Sequence, residues 1–277
     1  MKIAISGKGG VGKTTLAAGL ARLFAEEGRR VIAIDADPDA NLATALGADR
    51  EVAASCTPLS EMDDLIEERT GVRPGKGGMF RLNPDVSDVV DSCGVNVNGV
   101  TLLRMGTVER GGSGCMCSEG TFLKAFMRHL LVQRDEIAIL DMEAGIEHLG
   151  RGTAESVDVF VVVVEPAMRS VQTAHMVRDL AADIGIGEVV AVGNRVRDED
   201  DIEYLKEVLG DIPLVGTLPE STAVRRADRD GRSPFGTDEA FTEAVRKIAE
   251  CLTERAERAH EAAGTHEPPA TAPSVTS

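Results

Sequence analysis

A chain of 277 residues is one large domain or two modest ones, and with 43% hydrophobic but only 3% aromatic residues its core must be filled by Val, Ile, Leu, Ala and Met. A formal net charge of −16 argues against non-specific binding to nucleic acid or to an anionic membrane. The longest apolar run, Val159 to Val164, is far short of the roughly 18 residues a spanning helix needs, and the opening MKIAISGKGG carries no secretory cleavage pattern, so a cytoplasmic protein with free thiols is expected.

Lys2 to Ser6 reads as a short buried strand. The next nine residues, GKGGVGKTT from Gly7 to Thr15, match G-x-x-x-x-G-K-[ST] in the setting the motif requires, between a strand and a helix. Gly7, Gly9, Gly10 and Gly12, with Val11 among them, let backbone N–H groups curl around phosphate without Cβ clashes. The helix opening at Lys13, Thr14 and Thr15 adds its dipole; Lys13 is expected to reach the β and γ phosphates, and the Thr14 hydroxyl to bind Mg2+. A second lysine, Lys8, has little room at the same phosphates beside Lys13. A partner subunit's nucleotide is its natural target, which makes a dimer the hydrolytic unit.

Leu16, Leu20, Leu23 and Phe24 mark the buried face of the first helix. Arg29 to Asp37 is a second strand ending in acids, and Leu42 to Leu46 and Leu59 to Glu68 have short-helix patterns. Gly71 to Asn98, rich in Gly, Pro and Asp, predicts no element. Val100 to Gly106 is a strand, followed by a Gly-rich loop with Cys115 and Cys117 and a helix over about 119–131 that aligns Phe122, Phe126 and Leu130. Strands follow at Glu136 to Asp141, Val157 to Glu165, Glu188 to Asn194 and Ile212 to Pro219. Helices are expected at Ser170 to Ala182, Asp200 to Val208 and Thr237 to about Glu257. Val/Ile runs alternating with helices predict a mostly parallel sheet covered on both faces, an α/β three-layer sandwich. Residues 1–255 make the domain; 256–277 hold the helix end and a Pro/Ala/Thr-rich tail expected to be disordered. The strand-end acids Asp35, Asp37 and Asp141 fall where ligands bind in such sheets, outside the carboxyl ends of the strands.

In combination these motifs resemble the MinD/ParA/nitrogenase-iron-protein class of deviant Walker A ATPases over about residues 1–255, which implies the P-loop NTPase fold and ATP or ADP as cofactor. KGGVGKTT resembles the phosphate loop of that class, whose early lysine, here Lys8, crosses a face-to-face dimer to the opposite nucleotide. DADPDAN, Asp35 to Asn41, resembles switch I; the likeness implies that Asp37 orients or activates the attacking water and that Asp35 supports Mg2+ through its water shell. ILDMEAG, Ile139 to Gly145, resembles the Walker B strand and switch II, with Asp141 beside Mg2+. GNR, Gly193 to Arg195, resembles the base site: Asn194 would hydrogen-bond adenine next to Arg195, and Leu218, Pro219 and Glu220 would close over the ring.

Cys115 and Cys117 form a C-x-C pair able to clamp one soft metal, and Ni2+, Zn2+ and Cu(I) all suit such ligands. Two thiolates leave a tetrahedral site incomplete, whereas two pairs meeting on a dimer axis supply four sulfurs at a spacing that nucleotide would control. No cysteine lies between Asp141 and Glu165, unlike the pattern of nitrogenase iron protein, and the ending HEPPATAPSVTS lacks the basic amphipathic character of a MinD membrane helix. GCMCSE, Gly114 to Glu119, and DMEAGIEHLGRGT, Asp141 to Thr153, resemble the nickel-maturation ATPases of carbon monoxide dehydrogenase, the CooC family. That resemblance implies a homodimer when nucleotide is bound, which hydrolyses ATP, binds nickel (zinc in vitro) through the paired cysteines and assists insertion into carbon monoxide dehydrogenase. Related members serve the acetyl-CoA synthase/decarbonylase system; no nucleic acid or membrane partner is expected. Two alternatives stand beside it: a MinD/ParA-type positioning or partitioning ATPase with idle cysteines, which predicts no metal dependence, and a non-hydrolytic nucleotide-gated metal carrier.

Overall fold

The computed structural model describes residues 1–107, 117–143, 149 and 151–264. Among these, eight strands form one sheet: β1 (Lys2–Gly7), β2 (Val31–Ala36), β3 (Val95–Val97), β4 (Val100–Arg104), β5 (Ile137–Met142), β6 (Val159–Val164), β7 (Val189–Val196) and β8 (Leu214–Pro219). Their order is β3-β4-β2-β5-β1-β6-β7-β8, and every pairing is parallel except β3 with β4. The helices are α1 (Lys13–Glu26), α2 (Leu42–Ala45), α3 (Arg50–Ser55), α4 (Asp63–Thr70), α5 (Val89–Cys93), α6 (Ser118–Gln133), α7 (Arg151–Ala154), α8 (Met168–Asp183), α9 (Glu199–Leu209), α10 (Thr222–Arg229) and α11 (Glu239–Gly264).

The strands β1, β2, β5 and β6 are buried along their whole length. Their side chains alternate between two cores, which is why their sequences are apolar at most positions rather than at every second one, the polar exceptions lying near the strand ends. Ile3, Ile5, Ala33, Ile139 and Val161 face α1 and α11, whose Leu16, Leu20, Phe241, Val245 and Ile248 complete one core. Ala4, Ile34, Leu140, Phe160 and Val162 share the other with Phe122, Phe126 and Leu130 of α6 and with Val171, Ala174 and Val177 of α8. The expected three-layer sandwich is present. Small residues let the layers close: a Cβ on Gly216 of β8 would lie 2.5 Å from Ile248 of α11.

Several stretches differ from the sequence expectation. The helix expected over 59–68 is a 3-10 turn, Leu59–Glu61, followed by α4; Met62 (φ −83°, ψ 63°) leaves helical space between them. The stretch left without an element holds α5 and β3. Here Asn98 and Gly99, at φ 51° and 85°, make a two-residue turn joining β3 to β4 as an antiparallel hairpin. The last strand starts at Leu214 rather than Ile212, because Ile212 N–H instead closes the turn after α9 on Leu209 O at 3.1 Å. The last helix extends to Gly264, past the expected end; the tail from 265 onward lies outside the described residues.

Parallel register brings the carboxyl ends of the central strands to one edge. Asp35 of β2 and Asp141 of β5 are register partners, as are Gly7 of β1 and Val163 of β6, and Val164 of β6 and Gly193 of β7. No helix among the described residues is long and apolar enough to cross a membrane.

Candidate nucleotide site

The loop between β1 and α1 turns on glycines in the left-handed region, with φ of 145° at Gly7, 75° at Gly10 and 98° at Gly12. Two of them are also required by space. A Cβ on Gly7 would lie 2.5 Å from Val163 O, and one on Gly12 would lie 2.1 Å from Asn194 Nδ2. No side chain caps α1, so its first-turn N–H groups are left for an anion in front of the helix, where the dipole favours negative charge. Lys13 is 5% exposed, and its ammonium lies 3.7 Å from Asp37 Oδ2. Lys8, Gly9 and Gly10 are exposed at the rim, and Val11 is buried beneath them.

The acids are held differently. Asp35, 1% exposed, accepts the Leu42 N–H at 3.0 Å and the Asp37 N–H at 3.4 Å, which ties the start of α2 to the end of β2. Burial raises its pKa to about 6, against the pull of those two N–H groups. Asp141 is fully buried, and among the described residues neither carboxylate oxygen has a hydrogen-bond partner of normal geometry. Burial raises its pKa to about 7; the nearby Thr14 hydroxyl opposes that rise and Asp35 adds to it.

A buried carboxylate with both oxygens unpartnered, beside a threonine hydroxyl and a lysine, fits a hard cation bound together with phosphate. No group of three or more His, Cys, Asp or Glu among the described residues forms a metal cage. Mg2+ does not need one, since it takes one or two carboxylates plus phosphate oxygens and water.

Asn194, 7% exposed at the end of β7, donates from Nδ2 to Val11 O at 2.7 Å and accepts the Arg195 N–H on Oδ1 at 2.9 Å. Leu218 is buried; the Glu220 N–H donates to Val196 O at 2.9 Å, and its carboxylate accepts from Arg225 Nη2 at 2.6 Å. The structure therefore brings Gly7 to Thr15, Asp35, Asp37, Asp141, Asn194 and Arg195 to one edge of the sheet, with Leu218 to Glu220 on the adjoining strand end. Glu165 joins them without having been singled out from the sequence: it is ion-paired to Arg195. Its position, an acid directly after the run Val159 to Val164, is the same strand-end signal that marks Asp37 and Asp141.

Cys117 precedes α6 as its N-cap, and its Sγ accepts the Gly120 N–H at 3.3 Å. Cys115 and the residues from Ala144 to His148 lie outside the described residues. Glu143 O accepts the Ser6 hydroxyl at 2.8 Å, which anchors the end of β5 to β1.

Residues 2–235 match the family described as the CobQ/CobB/MinD/ParA nucleotide-binding domain. The chain is 43% identical over 255 residues to the carbon monoxide dehydrogenase accessory protein CooC of Rhodospirillum rubrum, spanning 92% of this chain and 97% of that protein. It is 44% identical over 252 residues to an ATP-binding protein of Methanocaldococcus jannaschii, spanning 90% and 96%. Among solved structures, the MinD cell division protein of Aquifex aeolicus shares the fold with a TM-score of 0.65 at 21% identity, covering 91% of this chain and 96% of that one.

Proposed function

Given that the chain belongs to the CobQ/CobB/MinD/ParA nucleotide-binding family, we propose that it is an ATP-hydrolysing homodimer whose two halves close and open with nucleotide. The observation that carries this reading is the meeting at one sheet edge of the N-terminus of α1, which no side chain caps, Lys13, Asp37 and the buried Asp141, whose oxygens have no partner of normal geometry among the described residues. The loop N–H groups and Lys13 hold the β and γ phosphates, and Asn194 would meet the adenine base. Thr14 and Asp141 would hold Mg2+, with Asp35 behind its water shell, and the ion would neutralise charge on the phosphate oxygens. Asp37 orients a water whose oxygen bonds to the γ-phosphorus as the bond to the β–γ bridging oxygen breaks; the water's proton passes toward the carboxylate. The partner subunit's Lys8 reaches the same phosphates and stabilises the charge that develops there.

The output of the switch is metal handling. Cys115 and Cys117 of two subunits meet on the dimer axis and carry nickel as cargo, and hydrolysis loosens the dimer so that the metal passes to a carbon monoxide dehydrogenase or acetyl-CoA synthase/decarbonylase client. The likeness to CooC over nearly that protein's whole length supports this, as does the C-x-C spacing. A positioning or partitioning ATPase is the second reading, favoured by the fold shared with MinD, a likeness of architecture alone.

Equilibrium dialysis of reduced protein with Ni2+, with and without ATP, separates them when run beside a Cys115→Ala/Cys117→Ala variant and light scattering. One metal per ATP-bound dimer, lost in the variant, supports the cargo reading. Nickel binding unchanged by the double substitution removes it and leaves the positioning reading.

A further inference from the structure

We propose that Arg195 is a positioning residue that sets the place of Lys8 through the phosphate-loop backbone, rather than a residue that reads the nucleotide. Arg195 has φ 56°, a left-handed conformation unusual for a residue with a long side chain. It sits where the β7–β8 register shifts, between the Gly193–Thr217 and Val196–Pro219 pairs. Such strain persists where the surroundings over-determine it. Three bonds do so here. The Arg195 N–H donates to Asn194 Oδ1, Nη1 is paired to the Glu165 carboxylate, and Nη2 donates to Gly10 O at 3.0 Å. Glu165 is itself fixed, its N–H donating to the Ser170 hydroxyl at 3.0 Å.

The consequence lies in the loop. Asn194 and Arg195, consecutive on β7, hold the consecutive carbonyls of Val11 and Gly10. The amide between Gly10 and Val11 is tied at both edges: its C=O to Arg195, and its N–H to Lys8 O at 3.2 Å. Because that amide is planar, turning its carbonyl turns its N–H, and with it the carbonyl of Lys8. Glu165, Arg195, Gly10, Val11 and Lys8 are thus joined in a continuous path from the end of β6 to the lysine proposed to cross the dimer. The side chain of Lys8 is exposed, and only its backbone is held by this turn.

The inference rests on the cross-dimer role proposed for Lys8, and the test separates the two. ATPase kcat and KM, affinity for a fluorescent ATP analogue, and ATP-dependent mass by light scattering are measured for Lys8→Ala, Arg195→Gln, the double variant, Arg195→Lys and Glu165→Gln. Arg195→Gln should lower kcat about ten-fold or more while KM and analogue affinity move less than about three-fold, since a misplaced catalytic group costs rate more than binding. The double variant should be no slower than Lys8→Ala alone, the non-additivity of two residues acting on one step. Arg195→Lys, able to reach Gly10 or Glu165 but not both, should recover part of the rate. Glu165→Gln should lower kcat in the same manner without removing the guanidinium, so the test survives if Arg195→Gln folds poorly. Losses that add in the double variant, or an Arg195→Gln effect confined to KM, overturn the inference while leaving Lys8 its role. A Lys8→Ala variant with wild-type rate removes the cross-dimer reading and this inference with it.

Discussion

The Lys13 ammonium lies 3.7 Å from Asp37 Oδ2, so the lysine expected to bind phosphate and the acid expected to orient water share one ion pair. With side-chain exposures of 6% and 20%, the pair is partly shielded from solvent. A phosphate that reaches Lys13 must compete with this carboxylate.

Asp37→Asn removes that competitor and the group that directs the water. Nucleotide should bind about two- to five-fold more tightly, the effect of losing an ion pair worth under about 1 kcal/mol. The hydrolysis rate should fall about a hundred-fold, within the range for loss of a general base. Isothermal titration with ATP and a phosphate-release assay check the two effects independently; a drop in both affinity and rate would mean that Asp37 holds the loop rather than the water.

Asp35 and Asp141 make stability depend on pH. Their folded pKa values, about 6 and about 7, lie above the ordinary 3.8. Both groups therefore favour the fold most fully below about pH 4, and that contribution is lost as pH rises through 6 to 7. In a chelating buffer the melting temperature should fall over this window. Asp141→Asn should flatten the fall and melt several degrees higher than wild type at pH 8, since roughly 2–4 °C corresponds to 1 kcal/mol in a domain of this size. The same variant should lose Mg2+-dependent hydrolysis. Thermal melts between pH 4 and 8 are the check, and equal pH slopes for the two proteins would contradict the burial argument.

Gly12→Ala should abolish nucleotide binding and destabilise the protein by about 2 kcal/mol or more. It combines a φ of 98° with a Cβ 2.1 Å from Asn194 Nδ2, so strain and a lost buried hydrogen bond add. Gly9→Ala, with nothing within 4 Å of the added Cβ, is the control expected to keep its fold. Urea unfolding of both variants measures the difference.

Cys117 has a structural task at the N-cap of α6 as well as its proposed metal. Serine is a preferred N-cap, so Cys117→Ser should be as stable as wild type or up to about 1 kcal/mol more so. It should nevertheless lose soft-metal binding, because a hydroxyl does not replace a thiolate ligand. Denaturation curves beside Ni2+ dialysis distinguish the two tasks; metal retained in a stable Cys117→Ser protein would remove this cysteine from the ligand set.

Much of the site was legible because its chemistry is local. Gly7 to Thr15 carries spacing, glycine content and strand–helix setting within nine residues, and Asp37 and Asp141 stand just past or within apolar runs that announce the strand ends. The short elements were less visible. α3 and α10, six and eight residues long, are each capped by one side chain, Asp49 accepting from Val52 N–H and Ser221 from Val224 N–H, and neither runs long enough to show a sustained apolar period in the sequence. The β3–β4 hairpin did carry a sequence signal, Asn98-Gly99 between alternating valines, but the glycine- and aspartate-rich stretch before it obscured the strand.

The sequence by itself determined the class of fold, the phosphate loop and the identity of the acids around it, since hydrophobic period and motif spacing are properties of neighbouring residues. Only the tertiary structure decided which groups meet. That Lys13 pairs with Asp37, that Asp141 has both oxygens buried with no partner of normal geometry among the described residues, and that Arg195 spans Glu165 and Gly10 follow from strand order and register. Those contacts join residues as far as 185 positions apart in the chain, and no local pattern encodes the burial and distance that give them their chemistry.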